Sequence, residues 1–239
     1  MPPATIMLVH GACHGAWCWD RVVPLLEQAG HRVLTPDLPG RGKKGAPGWR
    51  WTLKAYAAAI VDEARAAGGP VIAVGHSMGG PVVSAAAEAA PELFARLVYV
   101  SAFLPVDGHS LVSLAAMDKD SDLAGASSVG WFRGVVTINP GRLKPVYYGD
   151  CSEADLDWVR LRLVAESLRP SLTKVRLSDR FQSVPRSYVR CTQDRALSVQ
   201  MQDRMIERQP CDHVATLDAS HSPFLSMPQQ FAEVLVSVI

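Results

Sequence analysis

Short runs of β-branched and aliphatic residues alternate along most of the chain with longer stretches whose apolar positions recur every three or four residues. The first pattern fits buried strands and the second amphipathic helices, so their alternation predicts βα units around a mostly parallel sheet, an α/β fold. Strands are expected at Thr5 to His10, Arg32 to Pro36, Val71 to Gly75, Leu97 to Val100, Ser187 to Cys191 and Val214 to Leu217. Helices are expected at Trp17 to Gln28, Leu53 to Ala67, Met78 to Ala90, Val199 to Arg208 and from Pro228 onward. From Leu104 to about Val184 the alternation stops, and the segment mixes Gly, Ser, Asp and Pro with few helical stretches, notably Ser152 to Ser167. An interruption of roughly 80 residues is too long for an ordinary loop. It predicts a folded cap over residues 104–184, inserted into a core made of residues 1–103 and 185–239.

The strand VIAVG runs into Gly-His-Ser-Met-Gly-Gly and then a small-residue helix. In so tight a strand-to-helix turn, Gly75 and Gly79 remove side chains that would collide, and Ser77 can occupy a strained backbone position with its hydroxyl exposed. A serine hydroxyl is a weak nucleophile at neutral pH and needs a histidine base, an acid to orient that base, and donors for an oxyanion. Ligands in open α/β sheets bind at the carboxyl ends of strands, which narrows the search. His221 follows the strand VATL and is the expected base, whereas His213 falls at the entry of that strand. Asp194 follows SYVRC and is the preferred acid. Asp218, three residues before His221, is its rival and reads better as a turn former. The backbone N–H groups of Met78, after the nucleophile, and Ala12, in the HGACHGAW loop freed by Gly11, are the expected oxyanion donors.

Charge and composition narrow the partners. With 24 basic and 23 acidic residues and no long block of one sign, neither nucleic acid nor an anionic membrane is expected, and a small neutral or weakly charged ligand fits better. The N-terminus has no basic region and only six consecutive apolar residues, which predicts a cytoplasmic protein. Five cysteines with no CxxC spacing predict reduced thiols. His10 and His14 lack a third ligand nearby, so no metal is expected. The inserted segment holds Trp131, Phe132, Tyr147, Tyr148, Trp158 and Phe181, enough aromatic surface to wall a pocket or to form the insertion's own core. Met117, Trp131, Leu156 and Phe181 are named as lining candidates from sequence position alone. Quaternary state is open, with room for a homodimer.

HGACHGAWCW, GHSMGG, YGDCSEADLDW and YVRCTQDR together resemble the plant methylesterase and hydroxynitrile lyase branch of the α/β-hydrolase fold, with its bacterial esterase relatives. The resemblance runs over nearly the whole chain and is weakest between Gly108 and Gly130. It implies a Ser77, His221, Asp194 triad, an oxyanion hole at Ala12 and Met78, and a mostly helical cap over a hydrophobic pocket. Lyase members carry a hydroxyl or amide side chain where this chain has Gly11, or a lysine where it has Ser222, so these two substrate-side positions point to ester hydrolysis. The expected activity is that of a cofactor-free serine carboxylesterase acting on small hydrophobic or aromatic esters. Carbon-carbon cleavage by a lyase, and ligand binding without turnover, are the two rival expectations.

Overall fold

A computed structural model describes residues 3–41 and 45–239. Six strands form one parallel sheet: β1 (Thr5–Val9), β2 (Arg32–Leu34), β3 (Val71–His76), β4 (Phe94–Val100), β8 (Arg186–Cys191) and β9 (His213–Leu217). They lie in the order β2-β1-β3-β4-β8-β9. Strands buried on both faces read as continuous apolar runs, and β3 is buried at all six positions. Alternate residues feed two separate cores. Met7, Val9, Ala73 and Tyr99 pack under helices α2 (Leu53–Ala66), α3 (Gly79–Ala89) and α9 (Val199–Arg208), while Ile6, Leu8, Val74 and Val98 face α1 (Val23–Gln28) and α11 (Pro228–Ser237). Two flanking helices start where the sequence supplies a cap: Thr52 Oγ1 accepts from the Ala55 N–H at 3.0 Å, and Ser198 Oγ from the Met201 N–H at 3.1 Å.

All six expected strands are present, with edges shifted by a few residues. The expected helix from Trp17 to Gln28 is instead a short 3₁₀ turn, Ala16–Trp19, followed by α1. Pro24 explains the break, since it has no N–H to continue a helix from the preceding turn and sits in the first turn of α1, where that donor is not needed.

Between β4 and β8 the chain leaves the sheet. This segment carries the short helices α4 (Leu111–Ala115), α5 (Leu143–Tyr147), α6 (Glu153–Arg160), α7 (Leu168–Leu172) and α8 (Asp179–Gln182). It also carries a three-stranded antiparallel sheet that the sequence pattern did not predict, β5 (Ser127–Gly130), β6 (Val135–Ile138) and β7 (Glu166–Ser167), in the order β5-β6-β7. The helix expected over Ser152 to Ser167 ends early, because Glu166 and Ser167 pair with β6. Ser152 and Asp155 form a reciprocal capping box at the start of α6. Beyond β9, a short helix, α10 (Pro223–Ser226), precedes α11. Among the described residues, no helix is long and apolar enough to cross a membrane.

Strand order fixes where a site can form. The chain steps from β1 outward to β2, then returns past β1 to β3, so the loops after β1 and β3 part in opposite directions and leave a crevice at the carboxyl ends. The register brings those ends level: Val9 lies opposite Gly75, His76 opposite Val100, Val100 opposite Val189, and Cys191 opposite Leu217. Ser77, Ser101, Asp194 and His221 all follow these ends.

Candidate active site

Ser77 occupies the turn between β3 and α3 with φ +52°, a left-handed conformation that is strained for a side-chain-bearing residue. Its neighbours hold it there. The Ser77 carbonyl accepts from the N–H groups of Gly80 at 3.1 Å and Phe103 at 3.2 Å. A Cβ on Gly75 would lie 2.7 Å from the Gly79 carbonyl oxygen, and one on Gly79 would lie 2.6 Å from that of Val9. The two motif glycines thus permit a close approach of backbone to backbone.

His221 and Asp194 come together across two loops. The backbone ties Thr192 N–H to the Leu217 carbonyl and Gln193 N–H to the Ala219 carbonyl, both at 3.0 Å, which brings the end of β8 beside the end of β9. His221 Nδ1 then donates to Asp194 Oδ2 at 2.7 Å, with both side chains buried. This fixes the tautomer and leaves Nε2 as the basic nitrogen. Asp194 Oδ1 accepts from the N–H groups of Ala196 at 2.7 Å and Leu197 at 2.9 Å, so the carboxylate has partners on both oxygens. Asp218 is exposed, and its Oδ1 accepts from Thr192 Oγ1 at 2.6 Å and Gln193 Nε2 at 2.9 Å. The rival acid is therefore taken up by the loop after β8, away from the His221 ring.

A third group, absent from the sequence reading, completes this contact. Ser101 sits directly after β4 with φ +44°, and its Oγ donates a short hydrogen bond to Asp194 Oδ2 while lying 3.4 Å from His221 Nδ1. The rule that placed Asp194 and His221 after strand ends also points to Ser101. A serine hydroxyl carries no charge that would mark it in the sequence as the partner of a histidine base.

A cavity of about 220 Å³ opens at Ser77. Ala12, His14, His76, Ser77, Met78 and His221 form its floor, and its remaining walls come mostly from the inserted segment, including Leu111, Val129, Val136, Ile138, Tyr147 and Leu168. The lining is thus largely apolar away from the serine. Of the four residues expected to touch substrate, none lines this cavity. Trp131 is 63% exposed at the turn joining β5 and β6. Phe181 is fully buried, with the Arg186 guanidinium 4.8 Å over its ring. Ser222 is buried at the N-terminus of α10. Gly11 borders the serine from behind, where an added Cβ would lie 2.8 Å from His76 Nδ1 and 3.0 Å from Ser77 Cβ. Met117 lines a different, smaller cleft beside α9, and Leu156 is buried in the core. Sequence position alone could not tell which apolar residues of a loop-rich segment face inward.

The loop after β1 is held by partners far away in sequence. Cys13 has φ +65°, and its N–H donates to Glu166 Oε2 at 3.2 Å. The Arg41 guanidinium forms a short, buried ion pair with the same oxygen and donates to the His14 carbonyl at 2.7 Å. Glu166 Oε1 accepts from Tyr56 Oη and from the Ser167 N–H, each at 2.7 Å. Both carboxylate oxygens are therefore satisfied, which a buried charge requires. Burial and the adjacent Glu166 carboxylate push the Cys13 thiol up to about 12, so it stays protonated and unreactive. Nothing in the sequence signals the Arg41–Glu166 pair.

Three further histidines surround the site as neutral rings. His14 Nδ1 donates to the Ala12 carbonyl at 2.7 Å, so its Nε2 is left to accept a short hydrogen bond from Tyr148 Oη. His10 Nδ1 donates to the Gly11 carbonyl at 2.9 Å and its Nε2 accepts from the Leu38 N–H at 3.1 Å. His76 Nε2 donates to the His221 carbonyl at 2.9 Å. Burial lowers the His14 pKa from 6.5 to about 4 and holds His76 well below its ordinary range. Unfolding exposes both rings, so below about pH 6.5 the unfolded chain takes up protons that the folded chain does not. Stability is therefore expected to be complete above about pH 6.5 and to fall as pH drops toward 4, with His14 alone contributing roughly 3 kcal/mol over that interval. Denaturant midpoints measured from neutral pH downward check this, and a flat profile across that window would contradict it.

Comparison with known proteins agrees with the fold. The model of the alpha/beta hydrolase family matches residues 6–234. Methylesterase 1 of Arabidopsis thaliana is 30% identical over 256 residues, covering 97% of this chain and 94% of its own. The pyrethroid hydrolase of Sphingobium wenxiniae is 29% identical over 258 residues, covering 98% and 87%. Putative methylesterase 11 of Arabidopsis thaliana, described as chloroplastic, is 29% identical over 97% of this chain, which spans 63% of that longer protein. The crystal structure of polyneuridine aldehyde esterase superposes with a TM-score of 0.87 at 26% identity over 99% of each chain. The chain belongs to the alpha/beta hydrolase family, in its plant methylesterase-like branch.

Proposed function

We propose that this carboxylic ester hydrolase works through an acyl-enzyme on Ser77 and acts on small esters with hydrophobic or aromatic groups. The observation that carries the reading is the His221–Asp194 contact at 2.7 Å beside a serine held at φ +52° on the floor of an apolar cavity. Ser77 Oγ attacks the ester carbonyl carbon while His221 Nε2 takes its proton, and the N–H groups of Ala12 and Met78 receive the developing oxyanion. His221 then hands the proton to the leaving alcohol. Water, deprotonated by the same nitrogen, cleaves the acyl-enzyme and releases the acid. Asp194 holds Nδ1–H and stabilises the imidazolium, and Ser101 positions that carboxylate. Gly11 provides no hydroxyl and Ser222 no ammonium, so the two groups implied for lyase chemistry are missing here. The five cysteines are all free, which supports a reducing, cytoplasmic setting.

The test is hydrolysis of p-nitrophenyl esters from acetate to decanoate, run beside cyanide release from mandelonitrile. Ester turnover without cyanide release is expected, with the acyl preference measuring the cavity. Cyanide release without ester turnover would replace the proposal with a lyase. Saturable binding of a small acid with no turnover of its ester would replace it with a binding protein.

A further inference from the structure

Balanced total charge argues against an anionic surface as a partner, yet folding gathers three acid-poor segments on one face. No Asp or Glu occurs between Asp37 and Asp62 or between Asp122 and Asp150, and between Asp157 and Asp179 the only acid is Glu166, which is buried against Arg41. These segments meet at Trp49. Its Nε1 donates to the Trp131 carbonyl at 2.9 Å, its own carbonyl accepts from Arg169 Nη1 at 3.4 Å, and the neighbouring Gly48 N–H donates to Ser167 Oγ at 3.1 Å.

Around this junction stand large apolar side chains that the fold leaves in water. Phe132 is 99% exposed and Trp131 63% at the tip of the β5–β6 hairpin, with Val129 at 42% and Trp49 at 39% beside them. Arg50, Arg133 and Arg169 are exposed around the same cluster. Val129 also lines the cavity at Ser77, so the cluster continues into the cavity mouth.

We propose that this aromatic and basic face docks on an anionic phospholipid surface, seating Trp131 and Phe132 at the headgroup level and turning the cavity mouth toward the lipid. Aromatic rings favour that interfacial depth, and arginines beside them are drawn to the negative surface potential. A second copy of the chain fits less well, because a two-fold contact would set these arginines against their own counterparts with no exposed acid in the three segments to neutralise them. An apolar ester dissolved in the bilayer would then reach the cavity without crossing water.

Flotation of the full chain with vesicles tests the proposal, using phosphatidylcholine alone against phosphatidylcholine with about one third phosphatidylglycerol. Binding is expected only to the anionic vesicles and is expected to weaken as salt rises. The double variant Trp131→Ser with Phe132→Ser should reduce the partition coefficient by about tenfold or more. Arg133→Glu should reduce it severalfold. Hydrolysis of a soluble p-nitrophenyl ester should be unchanged in both variants, which verifies that they fold. Absent binding, binding indifferent to lipid charge, or binding that survives the double variant overturns the proposal. So does a dimer in sedimentation velocity that only the double variant dissolves, which would assign the face to a second copy.

Discussion

Ser77→Ala is expected to lower the turnover of a p-nitrophenyl ester by a factor on the order of 10⁶ while the fold stays intact. The two effects separate because the turn is held by the backbone and the chemistry by the hydroxyl. The Ser77 carbonyl keeps its bonds from Gly80 and Phe103, the glycine contacts are untouched, and alanine at φ +52° is strained to a degree similar to serine. Circular dichroism and the thermal midpoint should match the wild type within about 2 °C, the shift expected of less than about 1 kcal/mol in a chain of this size. What remains should be the modest acceleration supplied by the oxyanion donors and binding alone, on the order of 10³ to 10⁴ over water. Turnover within about tenfold of wild type would remove Ser77 from the mechanism.

Glu166→Ala is expected to cost about 3 to 5 kcal/mol of stability, because it leaves the Arg41 guanidinium buried without its counter-charge. For a domain of this length that corresponds to a fall in thermal midpoint of roughly 10 °C. The same substitution removes the acceptors for Cys13 N–H, Tyr56 Oη and Ser167 N–H. The loop after β1 would lose its tie to β7, so kcat is expected to fall as well, through displacement of the Ala12 N–H. Replacing both partners, Arg41→Met with Glu166→Leu, should recover much of the stability, since the pair is then exchanged for apolar packing. Calorimetry on the single and double variants checks this. A midpoint change in Glu166→Ala of less than about 2 °C would show that the pair contributes little.

Residues whose placement follows from local backbone context were legible in the sequence. Ser77 is announced by the glycines around it, and the place of Asp194 and His221 after strand ends follows from the rule that open α/β sheets gather ligands there. The mostly parallel sheet also followed from apolar runs separated by helices, whereas the order of its strands did not. Long-range choices were not legible. The Arg41–Glu166 pair joins residues 125 apart, and the β5-β6-β7 sheet forms from short strands of mixed polarity, such as the exposed SSVG of β5. For the same reason Trp131 and Phe181 were misplaced. In a segment built from short helices and short strands, neither the helical period nor the strand alternation persists long enough to say which side faces the core. Ser101 lies between these cases, at a strand end but without the side-chain charge expected of an orienting acid.

On the proposed mechanism, ester cleavage passes through a covalent acyl group on Ser77. Stopped-flow mixing of enzyme with excess p-nitrophenyl ester, paired with intact-mass measurement of acid-quenched samples, tests it most directly. A burst of nitrophenolate of up to one equivalent is expected wherever deacylation is the slower step, with a mass increase equal to the acyl group that maps to the peptide carrying Ser77. Both should be absent in Ser77→Ala. Steady ester turnover with no acyl adduct on Ser77 at any quench time, under conditions where a burst is seen, would contradict it.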